Sequence, residues 1–364
     1  MRFLPVLLLV ATLAGCTTGQ LNTIDDISES LQSLTGTPVT ARVRLERIIT
    51  AHDRTDASSW PLLPTEDGES QLRWVLRDIE KLEEIEYSSL TPRMAVVLVL
   101  GDIGTRSQAS LVRARSTLAI ARIGKGLSPD AGLTPKAVDD ARLGEIFKWI
   151  KQADANLPKE GAEDTPELTG KRREALTALA TMRFWPPLFY ARPGGGGQDA
   201  FRAGKKWSRS LLDFVGSVRF QSDREDPAFG PALEAKAGGL AAEVIRFTVA
   251  NALLRDPDDQ VRFDAVSAAL EVGTKDMVPV LAAAAIDDSA DLVRFRLAQA
   301  LGEIGASDPA EAVPSLITLL DDLDQSVRRA ARASLTTLAG ADQGEDQAAW
   351  LTWWAANGPS EKRP

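Results

Sequence analysis

"ADLVRFRLAQALGEIG", residues 290–305, reads as one amphipathic helix with a stop at its end. Val293, Leu297, Leu301 and Ile304 fall at steps of four, four and three, which puts them on one face of an α-helix. The same frame stands on either side, as "DDQVRFDAVSAALEVG" at 258–273 and "DQSVRRAARASLTTLAG" at 324–340. The framing valines are Val261, Val293 and Val327, so the periods are 32 and 34 residues. Gly273 and Gly305 stand where a glycine stops a helix, with Gly340 one position later in its unit. A second apolar helix follows each of the first two stops, "MVPVLAAAAI" and "AVPSLITLL", each expected to carry its Pro in the first turn. The Asp-rich turns "DPDD", "DDSAD" and "DDLD" join the units and offer N-cap oxygens. A helix pair recurring at this period is the mark of a stacked, all-α solenoid.

These residues resemble HEAT repeats, and more narrowly the bacterial HEAT-like repeats related to those of phycobilin lyases. The matching stretches are Asp291-Leu292-Val293-Arg294, Leu301-Gly302-Glu303-Ile304-Gly305 and Val313-Pro314-Ser315-Leu316. The resemblance implies an α-α superhelix over about 241–340, with Asp and Arg positions laddering between neighbouring repeats. Carried over, Asp259, Arg262, Asp291, Arg294 and Arg328 are structural; Gln325 replaces the Asp of the last rung.

Weaker echoes precede the array. "LVLGDIG" (98–104) and "LAIARIG" (118–124) repeat the "ALGEIG" ending, and Val112-Arg113 fits the register of Val293-Arg294. Residues 87–125 therefore read as a divergent repeat pair, preceded by helices over 39–51 and 71–85. At the other end, Trp350, Trp353 and Trp354 share one helix face within 341–364. A terminal repeat leaves an apolar face uncovered, so this segment is expected to cap the stack.

The only cysteine of the 364 residues lies in "LAGC", 13–16. Met1-Arg2, an apolar run from Phe3 to Leu13 and the small pair Ala14-Gly15 precede it, the layout of a cleavable export signal over 1–15. The motif resembles the lipobox of bacterial lipoproteins, which implies lipid attachment at Cys16 and a membrane-anchored body on a tether over 16–36. Thr17 follows instead of Asp, which resembles lipoproteins sent to the outer membrane, facing the periplasm. Past the signal, no stretch was expected to be long and apolar enough to cross a bilayer. A formal net charge of −9 argues against a nucleic-acid partner. One cysteine permits no intrachain disulfide and no Cys-based metal site, and nothing in the chain calls for a cofactor.

Residues 126–240 break the repeat pattern and are expected to form an irregular helical insertion. Within 171–220 ten Lys and Arg face three acidic residues, whereas 221–364 hold 13 basic against 24 acidic. Eight of the 21 aromatic residues crowd into the same basic stretch, around a Gly-rich loop at 194–197. A phosphate-loop reading fails on spacing, because Lys206 follows Gly204-Lys205 where Ser or Thr is needed. Three readings remain open: aromatics packed inside an insertion, docking of the segment on the acidic solenoid, and a cationic contact surface for an anionic group or lipid, carried by Lys205, Lys206, Trp207 and Arg209. His52, the only histidine, is expected on the surface, and the acidic doublets read as caps and solubilising charge. No catalytic residue is assigned. The expected function is a lipid-anchored scaffold that binds another envelope protein in its solenoid groove. The alternative is an envelope enzyme, lyase-like or a hydrolase, seated in 126–240; it requires ionisable side chains converging in a pocket there.

Overall fold

A computed structural model describes residues 38–54, 56–87, 90–127, 140–159, 161–181, 209, 212, 217–273 and 275–359. Among them every named element is helical, and the single isolated bridge, Pro64 to Ser70, closes a turn. Fourteen α-helices follow in order. They are α1 (Pro38–Arg54), α2 (Gln71–Glu83), α3 (Leu90–Arg106), α4 (Ser110–Ile123), α5 (Asp140–Ala155), α6 (Pro166–Thr181) and α7 (Val218–Glu225), then α8 (Gly230–Arg255), α9 (Asp259–Val272), α10 (Val278–Asp287), α11 (Asp291–Ile304), α12 (Pro309–Leu319), α13 (Gln325–Ala339) and α14 (Gln347–Asn357).

The helices stack in two layers. One layer runs α1, α3, α8, α10, α12 and α14, each packed on the next, and the other runs α2, α4, α9, α11 and α13. Helix pairs α3/α4 and α8/α9 are neighbours in this stack although 107 residues separate the start of α8 from the end of α4. Among the described residues the stack is therefore five helix pairs and a final helix, and it reaches back to α1, well before the three units with strong repeat patterns. One apolar core runs through it from Ala41 to Trp354. The expected insertion leaves the stack after α4; its helices α6 and α7 lie against α8. The expected boundary at 240 falls inside α8, which is continuous from Gly230 to Arg255.

Local chemistry explains most helix ends, with four departures from the sequence reading. Asp258 and Asp324 cap α9 and α13, each accepting two backbone N–H groups of the first turn. Gly273 and Gly340 are left-handed, at φ 62° and 75°, and stop those same helices. Gly305 is not: it keeps φ −65° and passes the chain into a short 3-10 turn. Its missing side chain serves packing, since a Cβ there would stand 2.6 Å from that of Ala312. Pro314 is also not in a first turn, because α12 starts at Pro309 and holds Pro314 inside. Helix α8 is long and apolar enough to cross a bilayer, contrary to expectation, but 61% of its apolar window is buried in the fold, as befits a core helix. Finally, His52 is buried at 2% exposure, its ring edge-on to Trp60 at 4.5 Å. The turn after α1 folds back over its last residues, which periodicity alone does not reveal.

The Trp-rich tail closes the stack. Trp350 and Trp354 are buried, Trp350 Nε1 donates to the Gly344 carbonyl at 2.9 Å, and Gln347 donates to Ile317 O at 3.1 Å.

Candidate functional site

The connections between paired helices lie along one edge of the stack, and a ladder of ion pairs runs down it. Arg262 Nε and Nη2 donate to both oxygens of Asp288, at 2.7 and 3.1 Å. Arg294 holds Asp322 in the same fork, at 2.7 and 3.0 Å. Arg113 of α4 holds Asp256, at 2.7 and 2.9 Å, which joins the N-terminal pair to the array across 143 residues of sequence. The third nitrogen turns back to the arginine's own connection. Arg262 Nη1 donates to Asp256 O at 2.9 Å, Arg294 Nη1 to Asp288 O at 3.0 Å, and Arg328 Nη1 to Asp322 O at 2.6 Å. Each of these Asp residues thus accepts one repeat's guanidinium with its carboxylate and the next repeat's with its carbonyl. The forks raise Arg113, Arg262 and Arg294 above the usual guanidinium range, and Arg294 in turn holds the Asp322 carboxyl below its ordinary value.

This corrects the acidic half of the expected ladder. Asp259 and Asp291 open α9 and α11 in solvent, and Gln325 is no missing rung, because the accepting position is Asp256, Asp288 or Asp322. All three sit six residues before an arginine, in "DPDDQVR", "DSADLVR" and "DLDQSVR", so the signal was present in the sequence. Asp256, Asp288 and Asp322 lie in the connections, within reach of the arginines of two repeats, whereas Asp259 and Asp291 are exposed at the starts of their helices. The doublets 287–288 and 321–322 therefore hold ladder carboxylates as well as solubilising charge.

The outer face of the second layer carries a separate charge lattice. Glu83 of α2 pairs with Arg115 at 3.2 Å and Arg122 at 3.0 Å, both on α4, and Glu271 of α9 pairs with Arg122 at 3.5 Å and Lys125 at 3.1 Å. Three successive helices are thus bridged by alternating charge.

In the insertion, ionisable side chains do converge, but on one another. Arg172, 1% exposed, uses all five of its N–H groups. Asp223 takes Nε and Nη2, Asp164 takes Nη1 and Nη2, and the Asn156 carbonyl takes Nη1 at 3.2 Å. Burial works against the charge on Arg172, and the hydrogen bonds with Asp223 and Asp164 more than offset it, holding the guanidinium above its ordinary value. Arg173 adds a bond to Asp223 at 3.1 Å and a second to Asp226, and stacks over Phe229 at 5.0 Å. Sequence reading counted these arginines as local positive charge and missed the network, since Asp223 lies 51 residues on.

A cleft of about 550 Å³ opens between α1, α2 and their connection, lined by Glu46, Arg47, Arg54, Glu66, Asp67 and Trp74 among others. Arg47 is not free to meet a ligand there: its Nε donates to the buried Asp78 at 3.0 Å and its guanidinium stacks on Trp74 at 4.8 Å. Arg209, one of the four residues assigned to an anionic contact, reaches the rim of this cleft, with Nη1 3.5 Å from Glu46 and Nη2 3.3 Å from Thr50 Oγ1. Lys205, Lys206, Trp207, the Gly-rich loop and Cys16 lie outside the described residues. Within those described, no group of three or more His, Cys, Asp or Glu is placed to hold a metal ion.

No curated protein matches the chain. A family model described as HEAT repeats matches residues 248–336, from within α8 to within α13. The segment that carries the ladder is thus a run of HEAT repeats, a helical-repeat architecture of the kind that offers extended surfaces to protein partners.

Proposed function

We propose that this chain is a lipid-anchored scaffold of the bacterial cell envelope, held at the membrane through Cys16 and binding another envelope protein along its repeat stack. The carrying observation is the closure of the charged groups. The ladder, the lattice on the second layer and the Arg172 network each engage their charges internally, and the helical stack offers an extended surface. The export signal and the "LAGC" motif support the anchor, in the outer membrane by the absence of Asp after Cys16.

Two measurements test the reading. Cys16→Ser abolishes lipid labelling and either releases the body or stalls the precursor; normal membrane retention with normal processing removes the anchor from the proposal. Affinity capture from cross-linked membranes recovers a stoichiometric protein partner. Recovery of none, together with turnover of a small substrate by the purified protein, replaces the scaffold with an enzyme.

A further inference from the structure

Most large apolar side chains of this fold are inside it, but eight stand exposed among the described residues, and five of them follow the ladder. Leu111 is two residues before Arg113, Leu254 two before Asp256, Ile286 two before Asp288, Leu292 two before Arg294, and Leu323 directly after Asp322. Leu323 is 98% exposed and Leu292 56%. Because the ladder hydrogen-bonds each connection to the next, these residues stand at successive connections along one edge. Scattered exposed leucines need no explanation, whereas a contiguous apolar row marks a contact surface.

The charge beside the row states what the contact carries. Asp259, Asp287, Asp291 and Asp321 are exposed along the same edge. Of the arginines sharing the edge, Arg113, Arg262 and Arg294 are each spent on a ladder carboxylate, whereas Arg328 donates to the Asp322 and Leu323 carbonyls and Arg255 is exposed, so these two cations stand against the four exposed aspartates. The available field is therefore negative. A second copy of this edge, or an anionic bilayer, meets it with like charge and is repelled. Spacing narrows the partner further. Packed helices are about 8–10 Å apart, so one apolar and acidic step recurs at that interval. An extended polyproline-like segment advances about 9 Å in three residues, which brings every third side chain to an equivalent step.

Resting on the scaffold reading, we infer that this edge binds an extended cationic segment of a partner protein, with Lys or Arg recurring at every third position and apolar residues between. The cations meet the exposed aspartates and the apolar side chains seat between the exposed leucines.

The experiment uses the full-length protein and a fluorescent peptide of five Lys-Leu-Pro triplets, read by anisotropy, with a peptide of five Glu-Leu-Pro triplets as its counterpart. The Lys peptide binds, and binding weakens as salt rises. Leu292→Ser with Leu323→Ser, or Asp287→Asn with Asp291→Asn and Asp321→Asn, weakens it by about tenfold or more with the melting temperature unchanged, since all five positions are exposed. Equal binding of the Glu peptide, undiminished binding by both variants, or no binding of the Lys peptide at low salt overturns the inference. A photo-cross-linking residue in place of Leu292, compared with one in place of Glu303 on the outer face of α11, separates this failure from failure of the scaffold. Cross-linking to a partner through 303 and not 292 keeps the scaffold and removes the edge; cross-linking through neither removes both.

Discussion

The repeat array and the insertion hold arginine–aspartate pairs of different kinds. In the array each guanidinium meets one carboxylate at a connection, with the arginine 12–15% and the aspartate 3–7% exposed, and the apolar core beneath is continuous. In the insertion Arg172 gathers two carboxylates and a carbonyl in the interior, beside a small core of Ala153, Ala175, Leu176, Ala180 and Phe220 with contributions from α3 and α8. The array uses ion pairs to set the register of helices that hydrophobic burial already holds together. Among the described residues of the insertion the apolar cluster is small, and a saturated ionic network lies beside it. Removing one member should therefore have a local and graded effect in the first region and a collapsing one in the second.

The largest effect should come from attacking the array's core rather than its ladder. Leu301→Asp places a carboxylate at a site with no exposure, and we expect a loss of at least about 5 kcal/mol, with loss of far-UV helicity across α8–α14. A melting curve like that of the wild type would show that the repeat register is misassigned. Arg172→Ala comes next, because it removes two of the three bonds to the buried Asp223 and both of those to Asp164, leaving Asp223 only Arg173. A loss of about 3–5 kcal/mol is expected for breaking a buried pair from one side. Hydrogen exchange should rise across α5–α7 and stay protected in α11 and α13; uniform exchange would erase the distinction between the two regions.

Arg294→Ala should be milder, about 2 kcal/mol, since Asp322 keeps the backbone N–H of Asp324 at 2.8 Å and the continuous apolar core beneath is untouched. A drop as large as that of Arg172→Ala would contradict the contrast. The smallest effect is a pH dependence. Asp322 has its pKa lowered in the folded state, so its stabilising contribution is present above the unfolded value of 3.8 and is lost as pH falls below it towards the folded pKa. Denaturant titrations at pH 6 and at successively lower values should show this loss in the wild type and less of it in Arg294→Ala. Identical slopes in the two proteins would mean that the fork does not hold Asp322 ionised.

How far the fold could be read depended on the range of the interactions involved. Residues 258–340 repeat a pattern whose period, caps and stops are all local, and "DPDDQVR", "DSADLVR" and "DLDQSVR" even carried the ladder positions. That the carboxylate belongs to Asp256, Asp288 and Asp322 and not to Asp259 and Asp291 became visible only when two connections were set side by side. The helix that buries Trp350 and Trp354 was legible from the spacing of Trp350, Trp353 and Trp354. The burial of His52 was not, because Trp60 reaches it through a turn that has no periodicity.

The sequence by itself determined that the chain is a helical stack with an Asp-rich edge, because amphipathic period and capping chemistry are encoded within a few helical turns, and it carries the "LAGC" motif on which the anchor proposal stands. Tertiary structure alone decided that α3/α4 continue the stack directly into α8/α9, with the intervening helices set aside. It also decided that Arg113 finds Asp256 and that Arg172 finds Asp223. Each of those pairings joins residues tens of positions or more apart. The cost of closing such loops grows only slowly with their length, so burial and charge at the point of contact, not proximity in the chain, select the partner.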